Sequence, residues 1–278
     1  MIGASGLQGG GLISSLRRNP HFLLRLLTRS STHQWQEDHK SELQPIEVVT
    51  GDMYEVGTIR KLFRGVWGAF IVTFSDFDDN KELSVGKTIA GIAQESGVQH
   101  LVFSSGIRTG VPFMDVKADI EAYIRTLVLP HTLYLQSGFF YENYVIKGGK
   151  SRIVCKWEET AGVGDAKIEG SNSTAGTGAL GAQTVTFSSF MPSHIRVAMH
   201  AASDIGRLAA LSLASPSRFS HEAAVRVVGD YLNGDEFAQI FTEVAREMGV
   251  AMRGIYHAVP LEMREKLVIE YEDVCAHY

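Results

Sequence analysis

Met1-Ile2-Gly3-Ala4-Ser5-Gly6-Leu7-Gln8-Gly9-Gly10-Gly11 is the stretch on which the fold turns. Glycines 3, 6 and 9 are spaced Gly-x-x-Gly-x-x-Gly, and Leu12, Ile13 and Leu16 continue at once as an apolar helical pattern. A chain that swings from a strand into a helix needs glycine where φ is positive and where backbone must approach a ligand closely. The helix start then presents free N–H groups and the positive end of its dipole, which suits a diphosphate. The spacing is a variant of the dinucleotide fingerprint, usually G-x-G-x-x-G between a strand and a helix. The competing reading is a glycine-rich tail. Only Met1 and Ile2 precede Gly3, where a strand of about five or six residues is expected. The first strand therefore reads as truncated: either its start lies upstream, which is the expectation, or the chain folds with a shortened central strand.

Downstream, apolar runs alternate with helical spacing. Asn19-Pro20 breaks the first helix, and Phe22 to Thr28 reads as a buried strand, although a Leu-rich run of this kind is also compatible with helix. Ile46 to Thr50 is a second strand, stopped by Gly51-Asp52. Val56, Ile59, Leu62 and Phe63 have helical spacing, and Ala69 to Thr73 is a further strand. A helix from Glu82 to Ser96 ends at Gly97; His100 to Ser104 is strand, residues 115–128 are helical and Thr132 to Leu135 is strand. This alternation means βαβ units: an α/β fold with a doubly wound, mainly parallel Rossmann-type sheet. It also supplies the strand–turn–helix context that the glycine motif requires. The second half reads as a smaller C-terminal α+β region. Residues 160–183, rich in Gly, Ala, Ser and Thr, form a mobile loop by composition, and helices are expected at Ala201 to Leu213 and Gly234 to Met248, the latter capped from Asn233. The expected division is a nucleotide-binding domain over 1–137 and a substrate or partner domain over 138–278.

Bulk properties narrow the function classes. Of 278 residues, 45% are apolar and 21% charged, and the net charge of −5 (26 basic, 31 acidic) comes without a basic stripe, which disfavours direct nucleic-acid binding. Arg17-Arg18 reads as the solvated end of the first helix. Two cysteines, Cys155 and Cys275, have neither metal spacing nor disulfide-framework density, and the ten histidines form no metal-like cluster. No metal is expected. The sequence carries neither a signal-peptide pattern nor a long apolar run for a membrane span, so the expected location is cytoplasmic, with the nucleus left undecided.

Arg29 follows directly on the second apolar strand. In dinucleotide folds an acidic residue about 20 positions after the glycines holds a ribose 2′-hydroxyl, whereas arginine accommodates a 2′-phosphate. No Asp or Glu lies between residues 22 and 36, and Ser30 adds a hydroxyl, so the expected cofactor is NADP rather than NAD. The plain alternative is a surface arginine at a strand end.

At this point the chain resembles the NmrA-like family of atypical short-chain dehydrogenase/reductases. The resemblance rests on Gly3-Ala4-Ser5-Gly6-Leu7-Gln8-Gly9, Leu27-Thr28-Arg29, Gly51-Asp52 and Val102-Phe103-Ser104-Ser105. It extends to Lys117-Ala118-Asp119-Ile120-Glu121 and Gly138-Phe139-Phe140-Tyr141-Glu142-Asn143. It implies an NADP-binding Rossmann domain with a small C-terminal domain and a cleft between them. Some members are reductases related to isoflavone reductases; others resemble sensors that bind NADP(H) and regulate partner proteins. Typical short-chain dehydrogenases pair a serine with Tyr-x-x-x-Lys, the lysine tuning the tyrosine for proton transfer. Here that spacing reads Phe113-Met114-Asp115-Val116-Lys117, and phenylalanine transfers no proton. Isoflavone-reductase-like enzymes use a lysine without that tyrosine, so Lys117 remains the candidate catalytic residue and a candidate ribose contact, against a solvated lysine on the helix.

The resemblance also implies a cofactor lining of Gly3, Ser5, Gly6, Leu7, Gln8 and Gly9 at the turn, and of Arg29, Ser30 and Asp52 at the adenosine side. Thr73, Phe74, Ser104 and Lys117 would line it further along, with Phe140 and Asn143 from the domain junction. Two functions from different classes follow: an NADP(H)-responsive regulator with a protein partner, or an NADPH-dependent reductase of a small aromatic or quinone-like substrate.

Overall fold

The computed structural model describes residues 1–29, 44–74, 79–110, 112–144, 155–158, 183–189 and 191–259. The chain divides into two compact units, Met1–Gly138 with His200–Gly229, and Phe139–Met199 with Asp230–Tyr278. The single cut after residue 137 drawn from sequence differs from this division at Gly138 and in the stretch 200–229, both of which belong to the first unit. Ser30 and residues 160–182 of the expected loop lie outside the described residues, while Gln183 opens a strand.

The first unit is built on parallel strands β1 (Leu24–Thr28), β2 (Ile46–Thr50), β3 (Gly68–Ile71), β4 (His100–Gly106), β5 (His131–Ser137) and β10 (Ala223–Val227). The Met1 amine donates to the Arg25 carbonyl (2.7 Å), Leu27 N–H to Met1 O (3.0 Å) and Ile2 N–H to Phe70 O (3.0 Å). Met1 and Ile2 thus fill the place between β1 and β3, and the strand order becomes β2-β1-(Met1–Ile2)-β3-β4-β5-β10. That is the doubly wound order, with the reversal beside the glycine turn. β4 is buried along six of its seven residues, as expected of a strand covered on both faces.

Helices α2 (Val56–Phe63), α3 (Asp79–Glu95) and α4 (Pro112–Ile124) cover one face. Ile59, Phe63, Ile89, Ile120 and Ile124 bury there against Ile2, Leu27, Ile71, Leu101 and Phe103. The alternate residues Leu26, Phe70, Val102 and Leu133 are equally buried and face the opposite layer, where α1 (Leu7–Leu16) packs on α5 (Ala202–Ala214). The two helices cross through glycines. A Cβ on Gly11 would sit 2.2 Å from Ser203 O, and one on Gly206 1.9 Å from Gln8 O. This contact is why the 200–229 segment belongs with the sheet. Arg17, expected at a solvated helix end, is only 8% exposed, a correction that follows from its place at the C-cap of α1 under Gln44, whose N–H bonds the Arg17 carbonyl.

The second unit holds the short β6 (Phe139–Phe140), β7 (Cys155–Glu158), β8 (Gln183–Ser189), β9 (Val197–His200), β11 (Asp230–Leu232) and β12 (Met252–Ala258). They form two three-stranded sheets, β12-β8-β7 and β11-β9-β6. Helix α6 (Gly234–Glu247) starts with a capping box: Asn233 Oδ1 accepts from Glu236 N–H (2.8 Å) and Glu236 Oε2 from Asn233 N–H (3.0 Å). Its Phe237 and Phe241 meet Phe187 of β8 edge to face, each at 5.1 Å.

Candidate cofactor site

The glycine turn has the geometry its spacing requires. Gly3 sits at φ +81°, and a Cβ there would lie 2.9 Å from Val72 Cβ. Gly6 N–H bonds Gly3 O (3.2 Å) and Gly6 is the N-cap of α1, without any side-chain cap. A Cβ on Gly9 would fall 2.3 Å from Gly3 O, so only glycine lets the first helical turn close over the strand end. Ser5, Leu7 and Gly10 are exposed around the helix start. Gln8 Oε1 is buried with no hydrogen-bond partner among the described residues. The uncapped N–H groups, the absence of acid in the first turn and the crowded glycines are what an anionic diphosphate needs at a helix N-terminus.

Because the strands are parallel, their carboxyl ends share one edge. Arg29, exposed, follows β1 there. Asp52 follows β2, but its Oδ1 accepts from Tyr54 N–H (3.1 Å), an Asx turn that starts the approach to α2. Thr73 and Phe74 follow β3; Phe74 is exposed, whereas Thr73 is turned inward. Ser104 in β4 is also buried. Phe140 on β6 and Asn143 in the 3-10 turn Tyr141–Tyr144 are half-buried and belong to the second unit.

Lys117 stands on α4 with its side chain 27% exposed, and its ammonium has three acceptors: Glu82 Oε1 (2.5 Å), Thr73 O (2.8 Å) and Thr73 Oγ1 (3.0 Å). The Thr73 hydroxyl donates to the same Glu82 oxygen (2.6 Å). An ammonium has three donors, so every one is matched within this group. Glu82, on α3, is 2% exposed and is the residue that sequence reading missed. It belongs to no motif and meets Lys117 only through tertiary packing.

Two other buried carboxylates on α4 do structural work. Asp115 accepts from Thr109 N–H (2.6 Å), Thr109 Oγ1 (2.9 Å) and Gly110 N–H (2.9 Å). The Thr109 backbone bond foremost holds its carboxyl below the usual range, against the opposing effect of burial. Glu121 accepts from Ser105 Oγ (2.6 Å), Arg125 (2.8 Å) and Gln136 (3.2 Å), tying α4 to the ends of β4 and β5.

A parallel sheet in this order with a glycine turn at its reversal defines a Rossmann-type protein. The chain belongs to the NmrA-like family, whose sequence model matches residues 1–275. Among curated relatives, the NmrA-like family domain-containing oxidoreductase lnaB of Aspergillus flavus is 34% identical over 164 residues, 53% of this chain and 48% of lnaB. FrzB of Cladobotryum sp., of the same description, is 34% identical over 160 residues, 52% of this chain and 47% of FrzB. The chain spans about half the length of these curated relatives. Citrobacter sp. triphenylmethane reductase complexed with NADP(H) superposes with a TM-score of 0.67 at 19% identity, covering 100% of this chain and 87% of that one. NmrA, a negative transcriptional regulator, in complex with NADP gives 0.65 at 19%, covering 98% and 81%. At such identities the likeness is one of fold.

Proposed function

We propose that this chain binds NADP(H) and serves as a redox-responsive regulator or sensor. The observation that carries the binding is the glycine turn, where Gly3 and Gly9 pack too closely on neighbouring atoms to carry a side chain and the start of α1 is uncapped. In this reading Ser5, Leu7 and Gln8 surround the diphosphate together with the glycines. Arg29 and Ser30 take the 2′-phosphate, Asp52 borders the adenine side, and Phe74 lines the nicotinamide side. Thr73 and Ser104 support that lining from within, and Lys117 lies by the nicotinamide ribose. A bound nicotinamide would supply or accept a hydride. NADP-bound triphenylmethane reductase and NmrA share the fold, which supports the cofactor class.

Lys117 favours sensing over proton donation. Its donors are matched by Glu82 and Thr73, and position 113 holds phenylalanine where a proton-transferring tyrosine would stand. The reductase reading, on a small aromatic or quinone-like substrate, draws on the oxidoreductase names of lnaB and FrzB. Calorimetric titration with NADP+ and NAD+, beside Arg29→Ala, tests the binding: preference for NADP+ that the variant removes is expected, and binding of neither nucleotide overturns the proposal. NADPH consumption with quinone or triphenylmethane acceptors, abolished by Lys117→Ala, would replace the sensor by the reductase.

A further inference from the structure

Among the described residues the buried carboxylates are Glu82, Asp115 and Glu121. Asp115 and Glu121 hold loop and strand ends to α4, their own helix. Glu82 differs. It comes from α3, and its Oε1 binds Lys117, the cation that the cofactor reading places by the nicotinamide ribose. A carboxylate at 2% exposure is strongly unfavourable unless paired, and a buried pair adds little stability over a well-packed apolar one. Stability therefore does not explain it; a fixed ammonium does.

The helices are shaped for this contact. Gly86 lies one turn beyond Glu82 on α3, and Ile120 about one turn beyond Lys117 on α4. A Cβ on Gly86 would come within 2.5 Å of Ile120 Cδ1, so the glycine allows α3 and α4 the approach that brings Glu82 and Lys117 to 2.5 Å. Thr73 completes the triangle from the end of β3, accepting from Lys117 and donating to Glu82.

We infer that Glu82 is a positioning residue for Lys117: it anchors the ammonium at the carboxyl end of β3 and neutralises its charge beside the nicotinamide half of the site. The inference rests on the cofactor reading above. With the anchor in place, Lys117 offers a ribose hydroxyl a donor now bonded to Thr73 while its bond to Glu82 persists. Without it, Lys117 becomes a loose, uncompensated cation beside a ring that is itself cationic in NADP+.

Two probes separate the halves of the site: NADP+, and adenosine 2′,5′-bisphosphate, which lacks the nicotinamide ribose. Glu82→Gln is expected to weaken NADP+ roughly five- to ten-fold, from loss of a charge-assisted bond, and to leave the bisphosphate unchanged. Glu82→Asp restores part of the loss. In a Lys117→Ala background Glu82→Gln adds no further loss, because nothing remains to be positioned. Independently of any nucleotide, reductive methylation of Lys117, followed by peptide mass analysis, is faster in Glu82→Gln while Lys61 reacts at an unchanged rate. Equal weakening of both probes, equal weakening in both backgrounds, or unaltered Lys117 reactivity overturns the assignment. Binding of neither probe by the unsubstituted chain overturns the cofactor reading instead, and the assignment falls with it.

Discussion

The two ends of β4 bury ionisable groups in opposite ways. Beyond its carboxyl end, Lys117 and Glu82 meet as a charged pair with Thr73 between them. At its amino end, His100 is 1% exposed and has no anionic partner among the described residues. Its Nε2 lies 3.0 Å from Ser212 Oγ, its ring 4.3 Å from that of His131 and 5.8 Å from that of Trp67. Burial first, and the His131 neighbour second, push its pKa down to about 4. One end keeps charge by pairing it; the other sheds charge. The difference teaches that burial alone does not mark a functional group: of these two ends, the proposed site draws only on the one where the charge is paired.

Breaking the pair is the severest test. Lys117→Met leaves a buried carboxylate uncompensated and should lower unfolding free energy by about 3–5 kcal/mol, read from urea midpoints. Adding Glu82→Gln should recover most of it. A single and double variant of equal stability would dissolve the contrast.

The amino end should answer to pH. The folded value of His100, about 4, lies below its ordinary 6.5. The unfolded chain therefore takes up the proton first, and stability that is complete above 6.5 is lost as pH falls towards 4, by up to about 3 kcal/mol. His100→Asn should flatten that part of the profile, while variants at Glu82 leave its slope alone.

Glycines sharpen the same comparison. At the carboxyl end, a Cβ on Gly9 meets backbone at 2.3 Å. Gly9→Ala should cost about 1–3 kcal/mol by overpacking and abolish nucleotide binding. Gly97, before the amino end of β4, faces open space at φ +73°, so Gly97→Ala should cost about 1 kcal/mol from backbone strain alone and leave binding intact. Thermal unfolding with a nucleotide titration separates the two. Arg29→Ala should have the smallest effect on stability, with no change in melting temperature, while NADP+ preference falls about ten-fold, near 1.4 kcal/mol.

Much of this was legible in sequence. The glycine spacing and the alternation of apolar strands with helical segments announced the parallel sheet, because each signal is local. The place of Arg29 after β1 is readable for the same reason: it sits at a fixed offset from the turn. Glu82 was not, since its meaning depends on Lys117, which α3–α4 packing alone brings to it. The return of α5 was equally silent. Its helix was readable, but docking through Gly11 and Gly206 leaves no apolar periodicity behind. In the second unit, β8 alternates inward Val185 and Phe187 with polar neighbours, a pattern obscured by the Gly- and Ser-rich stretch before it.

The most direct measurement is a crystal structure of the protein grown with NADP+. The account predicts the diphosphate over residues 5–8 at the start of α1, the 2′-phosphate on Arg29, and the Lys117–Glu82 bond still made. A nucleotide bound elsewhere, or Lys117 turned away from Glu82 towards solvent, would contradict it.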